Sequence, residues 1–359
     1  MTGNVRSSLG LLAADRVSRQ LERLGRHLGA IPGSADTEPV HQARVASRRL
    51  RAALGVFRDC FQPKQVTRWR RALRRLLTGL GDARDRDVQI AYLEDRLAKC
   101  DAKPCRPGIS RLLLRLRQQR EALQPRLVKI IGRFQSGAAD DEMEAAVRTL
   151  SPGGAVRRRR FRDPAVFDRA RTHIRRRLQE LLGYRVCLAD PSDTERHHGM
   201  RIAAKRLRYA MEMCGPAFTG GLLPFIKAAR GLQTLLGDLH DCDVWVADLQ
   251  AFEAEETERT LAYCGHRRPM ARLRPGIHCL RRERTEQRGV LFREVTALWD
   301  RLEREDLWGE LLRILDAHAE RPAPPSGDGR RPAAEERGLN VPPARRDQTA
   351  SQEEGGCRR

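Results

Sequence analysis

The chain has 359 residues, enough for one large domain or two smaller ones, and 40% of them are hydrophobic, so a folded core is expected. Lys and Arg number 69 against 47 Asp and Glu, a formal net charge of +22 carried almost wholly by arginine, which implies a polyanionic partner: nucleic acid, an anionic membrane or polyphosphate. Nine cysteines at irregular spacing, with no C-x-x-C pair, do not resemble a disulfide framework; there is no signal-peptide pattern and no apolar run of the ~18 residues a bilayer span needs, so a cytoplasmic setting with no membrane partner is expected.

Apolar residues recur at helical spacing almost throughout, as in Leu73, Leu76, Leu77 and Leu80 or Ile109, Leu112, Leu113 and Leu116, and no alternating strand is found. The class is therefore all-α, packed as helical bundles. In chain order the spacing predicts helices over 5–30, 37–60, 64–102 (broken near Gly79-Leu80-Gly81) and 108–135. Residues 136–163 read as a linker, with Pro152-Gly153-Gly154, the basic run Arg157 to Arg160 and a short helix near Glu142–Leu150. Further helices follow over 164–188, 193–214, 220–260 and 276–304. The domains are thus expected at 5–135 and 164–315. The stretch 316–359, rich in Pro, Gly, Arg and Glu, is expected to be a disordered tail.

An internal repeat organises these elements. Asp36-Thr37-Glu38 returns as Asp193-Thr194-Glu195. His41-x-x-Arg44-Val45-x-x-Arg48-Arg49-Leu50-Arg51 returns as His198-x-x-Arg201-Ile202-x-x-Lys205-Arg206-Leu207-Arg208. Leu80-Gly81-Asp82-x-x-Asp85-x-Asp87-Val88 returns as Leu236-Gly237-Asp238-x-x-Asp241-x-Asp243-Val244, and Pro107-Gly108-Ile109 as Pro275-Gly276-Ile277. Four matches in one order indicate duplication of a structural unit.

With His41 at 0° on a helical wheel, Arg44, Arg48 and Arg51 fall at about 300°, 340° and 280°, while Leu50, Ala53, Leu54 and Phe57 occupy the opposite side. The second copy repeats the stripe with His198, Arg201, Lys205 and Arg208; Arg49 and Arg206 lie beside it. Like charges at i, i+3 and i+4 cost a few tenths of a kcal/mol per pair, and no acid is interleaved to relieve them. A solvated structural face would alternate signs. An unrelieved stripe that occurs twice instead suits a phosphate polyanion, whose oxygens match the guanidinium fork. At ordinary pKa values the two histidines would strengthen such binding as pH falls through about 6.5.

The pattern H-x-x-R-[VI]-x-x-[RK]-R-L-R followed by L-G-D-x-x-D-x-D-V, present twice, resembles the CHAD family (conserved histidine α-helical domain) over roughly residues 5–315. The resemblance implies two four-helix bundles related by a pseudo-two-fold axis, with a basic central groove or pore that binds inorganic polyphosphate. Carried over, the ligand-facing residues are His41, Arg44, Arg48, Arg51, His198, Arg201, Lys205 and Arg208. Arg74 and Arg230, at matching positions before the Gly-Asp motifs, are added with Arg49 and Arg206. Lys205 replaces the arginine of the other half, and Gly199 sits in the first turns of the second basic helix. Polyphosphate granules are one place of association this would imply. No cofactor and no catalysis are expected: no E-x-E-x-K segment of the triphosphatase kind occurs at the N-terminus.

Two other readings stand beside this one. His240-Asp241 resembles the metal-binding pair of HD-type phosphohydrolases, but its first-half counterpart is Arg84-Asp85, so the halves share the aspartates and not the histidine. Asp82, Asp85, Asp238 and Asp241 are read instead as capping a helix after the glycine break and holding basic side chains. A nucleic-acid binder would need stacking aromatics; the stripes offer Tyr209 alone, Phe57 being on the apolar side. The four Trp residues are read as core. His197 aligns with Val40 and is assigned no ligand.

Overall fold

The structure is a computed structural model that describes residues 8–34, 36–151, 163–218 and 221–319. Ten α-helices are described: α1 (Ser8–Ala30), α2 (Glu38–Val56), α3 (Pro63–Ala98), α4 (Arg106–Gln135), α5 (Ala138–Leu150), α6 (Pro164–Leu182), α7 (Thr194–Cys214), α8 (Leu223–Cys264), α9 (Met270–Arg304) and α10 (Leu307–Ala319). No strand occurs among the described residues, and none of their helices is long and apolar enough to cross a membrane. The all-α class expected from the periodicity is what the chain adopts.

Each copy of the repeat builds the same neighbourhood. Helix α1 packs on α2, α2 on α3 and α3 on α4; α6, α7, α8 and α9 follow the same order. The copies meet where α2 lies against α7 and where α4 crosses α9. Two hydrophobic clusters result, and neither is confined to one copy. The larger runs through Leu50 and Trp69 to Leu207, Leu236 and Trp299. The smaller joins Leu93, Ile109 and Leu113 to Trp245, Leu249 and Ile277 at the far ends of the long helices. All four tryptophans are buried, as the sequence suggested.

The repeated Pro-Gly-Ile marks the α4–α9 crossing. A Cβ on Gly108 would lie 2.1 Å from the Leu273 carbonyl oxygen, and one on Gly276 would lie 2.1 Å from that of Cys105. Only glycine lets the two backbones approach this closely.

Several elements differ from expectation. Helix α3 runs unbroken through Gly79-Leu80-Gly81, and α8 through Gly237, so Asp82, Asp85, Asp238 and Asp241 cap nothing. Two mid-helix glycines cost about 1 kcal/mol each against alanine. Packing offsets this: a Cβ on Gly79 would sit 2.7 Å from Ile130 of α4, and Leu76, Leu80 and Ala83 are buried. Helix α9 begins before Pro275 rather than after it. The linker's short helix is α5, docked on α1 through the fully buried Met143, with Glu142 accepting the Trp69 indole N–H at 2.9 Å. Helix α10 was not foreseen; it buries Trp308, Leu311 and Leu315 and extends into the stretch expected to be tail. The Arg157 to Arg160 run and the rest of the tail, 320–359, lie outside the described residues.

Candidate functional site

The two basic helices start at matching aspartates. Asp36 accepts the Glu38 N–H at 2.9 Å, and Asp193 accepts the Arg196 N–H at 3.1 Å, which satisfies first-turn donors of α2 and α7. This is what the repeated Asp-Thr-Glu encodes. The apolar faces of both helices enter the core, and their cationic faces converge where α2 meets α7.

Two adjoining cavities flank that meeting. One, of about 990 Å³, is lined by His41, Arg44, Arg48 and Arg201 together with Arg84, Arg126 and His240. The other, of about 590 Å³, is lined by Arg51, Arg70, Arg74, Lys205, Arg206 and Tyr209. Arg44 and Arg48 belong to both walls. The Gly-Asp repeat serves this arrangement. A Cβ on Gly81 would touch the Arg44 guanidinium at 3.8 Å, and one on Gly237 would touch the Arg201 guanidinium at 3.6 Å, so each arginine lies across a bare stretch of α3 or α8.

The smaller cavity is lined by no carboxylate, whereas Asp82, Asp85, Asp241 and Asp248 stand among the cations of the larger one. Arg44 pairs with Asp85 at 2.6 Å. Among the described residues no carboxylate lies within ion-pair reach of Arg48, Arg51, Arg70, Arg74, Arg201 or Lys205. The cost is visible in their acidities. Burial, then Arg48, Arg201, Arg206 and Arg44, push the Lys205 ammonium down to about 8. Arg48 is lowered by burial and by Arg44, and Arg51 by burial and by Arg70 and Arg74. Burial and nearby cations also lower His41 and His198. The Nε of Arg51 and the Nδ1 of His198 are buried without a hydrogen-bond partner. Opposite them, burial raises the Asp238 and Asp241 carboxyls. The site stores positive charge at close range with donors unsatisfied, an arrangement that a multivalent anion relieves.

The remaining candidates sit elsewhere. His198 packs against His240, ring centroids 4.2 Å apart and the rings tilted, and lines neither cavity. Arg206 lines the smaller cavity but pairs with Glu180. Arg49, Arg208 and Arg230 all point to Glu212, at 3.8, 2.9 and 3.7 Å. Arg208 also donates to Gln233 and covers the Tyr209 ring at 4.5 Å.

The sequence matches the CHAD domain family over residues 15–250, well over half of the chain. The chain belongs to the CHAD domain family. Its fold resembles the CHAD domain from the plant Ricinus communis (TM-score 0.56, 21% identity, covering 83% of this chain and 93% of that one). It also resembles PptA from Streptomyces chartreusis (TM-score 0.53, 15% identity, covering 80% and 98%). No curated protein sequence matches it.

Within this CHAD domain, sequence reasoning missed Arg84, His240, Arg70 and Arg126. The first two are counterparts in the repeat, two residues after the motif's first aspartate, and both line the larger cavity. That shared position was the available signal. Arg70 lies one turn before Arg74 on α3, whereas Arg126 carries no motif. His197 is a core histidine: it is buried, packs on Phe292, and its Nε2 lies 2.9 Å from the Cys187 carbonyl oxygen. Gly199 leaves room for the Tyr184 ring, which a Cβ would meet at 2.5 Å. Among the described residues no group of three or more His, Cys, Asp or Glu is placed to hold a metal ion. Asp87 pairs with Arg120 at 2.7 Å, and its counterpart Asp243 pairs with Arg288, so these motif aspartates tie α3 to α4 and α8 to α9.

Proposed function

We propose that this CHAD domain binds inorganic polyphosphate without turning it over. The two repeat units, 5–135 and 164–315, would each contribute one basic helix to a shared path. The observation that carries the reading is the set of six cations around the α2–α7 contact with no carboxylate within 4 Å among the described residues, in two cavities sharing Arg44 and Arg48, the smaller of them lined by no acid at all. A chain of phosphates offers closely spaced negative charge with oxygens in all directions, which suits guanidinium groups arriving from two helices. Arg48, Arg51, Arg201 and Lys205 would bear the main load, with His41 and Arg74 at the margins. Granule association follows only if binding holds for long chains.

Nucleic acid is the weaker ligand on the same chemistry. The aromatic rings at the site are already engaged: Tyr209 under Arg208, and Trp245 against Tyr92 and Arg284. Bases would find no free stacking platform. Catalysis would need a nucleophile–base pair or a metal cluster; the motif aspartates Asp85, Asp87 and Asp243 are occupied by Arg44, Arg120 and Arg288, and Asp82, Asp238 and Asp241 belong to no group of three or more metal-ligating side chains among the described residues.

The test is competitive binding of long-chain polyphosphate, duplex DNA and RNA at matched salt, with an assay for released phosphate in Mg²⁺ or Mn²⁺. Polyphosphate should bind most tightly and stay intact. Tighter binding of DNA or RNA, or turnover abolished by Asp241→Ala, would overturn the proposal.

A further inference from the structure

The two halves present the same three arginines around the end of each basic helix, but only one set converges on a shared acid. In the second half Arg208, Arg230 and, across the α2–α7 contact, Arg49 surround Glu212. Their counterparts in the repeat are Arg51, Arg74 and Arg206. The counterpart of Glu212, four residues after the last arginine of each motif, is Gly55. Gly55 lines the smaller cavity, and a Cβ there would have nothing within 4 Å. Arg51 and Arg74 consequently have no carboxylate in reach among the described residues, and Arg206 turns aside to Glu180.

We propose that Glu212 is a resident anion that closes one of two equivalent arginine sites, so that a bound polyphosphate runs from the shared centre towards Arg51 and Arg74 and not towards Arg208 and Arg230. This rests on the polyphosphate reading above and adds a direction and a limit to it. The Glu212 side chain is only 14% exposed, and it accepts one N–H of the Arg208 guanidinium at 2.9 Å as a phosphate oxygen would, while the Arg208 Nε donates to Gln233. A phosphate arriving there must displace a carboxylate already in place. At the Gly55 end it meets an unpaired fork whose Nε has no partner. The ligand footprint is therefore one-sided in a molecule whose sequence is two-fold repeated.

Two reciprocal variants test this. Glu212→Gln keeps the shape and an acceptor for Arg208 but removes the charge. It should tighten long-chain polyphosphate about tenfold and steepen the slope of log K against log salt by roughly 0.7 per phosphate newly engaged, with tripolyphosphate, which the open end accommodates, unchanged. Gly55→Glu installs the same acid among Arg51, Arg74 and Arg206, at a place with room for it and in a helix that favours Glu over Gly. It should weaken long-chain binding by a similar factor and flatten the slope. If the wild type binds polyphosphate and both folded variants match it in affinity and slope, the one-sided path is wrong while the polyphosphate reading stands. If the wild type does not bind polyphosphate, both fall.

Discussion

Lys205 is the one lysine in a stripe otherwise built from arginine and histidine, and it makes the site sensitive to mild alkali. Its ammonium is pushed down to about 8, against ~10.4 for an ordinary lysine. The sign follows from linkage. Between about 8 and 10.4 the folded ligand-free protein binds fewer protons than the unfolded chain, so holding Lys205 charged burdens the fold at lower pH. A polyanion favours the charged form, raises the pKa and recovers that burden. Polyphosphate affinity should therefore fall as pH rises through 8, with proton uptake seen calorimetrically in buffers of different ionisation enthalpy. Lys205→Arg, which installs the residue of the other half, should flatten the profile between pH 7.5 and 10; an equal fall in both proteins would contradict this account. The histidines act on the acid side. Because burial and neighbouring cations lower His41, His198 and His240, the gain in affinity on acidification should lie below pH 6.5, not at it as their residue type alone suggests. Titration of their ring signals by NMR, with and without polyphosphate, checks the direction. The arginines themselves are tested by Arg48→Ala with Arg51→Ala. Each change should cost about tenfold in affinity, or roughly 1.4 kcal/mol, and leave helicity intact because alanine is a good helix former.

At the scale of helices, the crossing of α4 and α9 holds the far ends of the two copies together. Gly108→Ala or Gly276→Ala places a methyl group where a carbonyl oxygen stands, so the helices must part and the cluster of Leu93, Ile109, Trp245 and Ile277 must loosen. The expected loss is about 1–3 kcal/mol in chemical denaturation, the range of overpacked cores. Gly25→Ala, in the middle of α1 with nothing within 4 Å, should instead stabilise by up to about 1 kcal/mol. Equal effects at the two sites would mean that only helix propensity is being measured. The motif aspartates give a second check. Asp87 is buried and holds Arg120, so Asp87→Ala leaves a half-buried guanidinium unpaired and should cost about 3 kcal/mol, with Asp243→Ala matching it against Arg288. The helices themselves were largely legible, because long amphipathic stripes survive any tertiary context. The misplaced features have local causes. Glycines that look like a break in α3 are there for Ile130 and for the Arg44 guanidinium, and a short apolar run at 307–319 became α10 because α6 and α9 offered it a face.

Across the whole molecule, the repeat showed that two basic helices exist, and their wheel showed which side of each is cationic. It did not show how the copies are set against each other, and that decides the site. Packing α2 on α7 brings Arg48 and Lys205 together, while the same packing hands Arg49, Arg208 and Arg230 to one glutamate that has no counterpart in the first half. A two-fold sequence thus gives an unequal pair of arginine sites, and no inspection of one helix reveals it. Binding of a polyanion should also raise the melting temperature at neutral pH, since it offsets repulsion that the folded state alone must bear. The most direct test of the central claim is the salt dependence of long-chain polyphosphate binding. With about six phosphates engaged, log K should fall linearly with log salt at a slope near −4, taking roughly −0.7 per charge as for single-stranded nucleic acid. Replacing Arg48, Arg51, Arg201 and Lys205 together by Ala should bring the slope to about −1.4, at roughly −0.7 for each of the two charges left, and weaken binding by at least a thousandfold, with helicity preserved in circular dichroism. A quadruple variant that stays folded and keeps the wild-type affinity and slope would show that these stripes are solvated faces and that the ligand, if any, binds elsewhere.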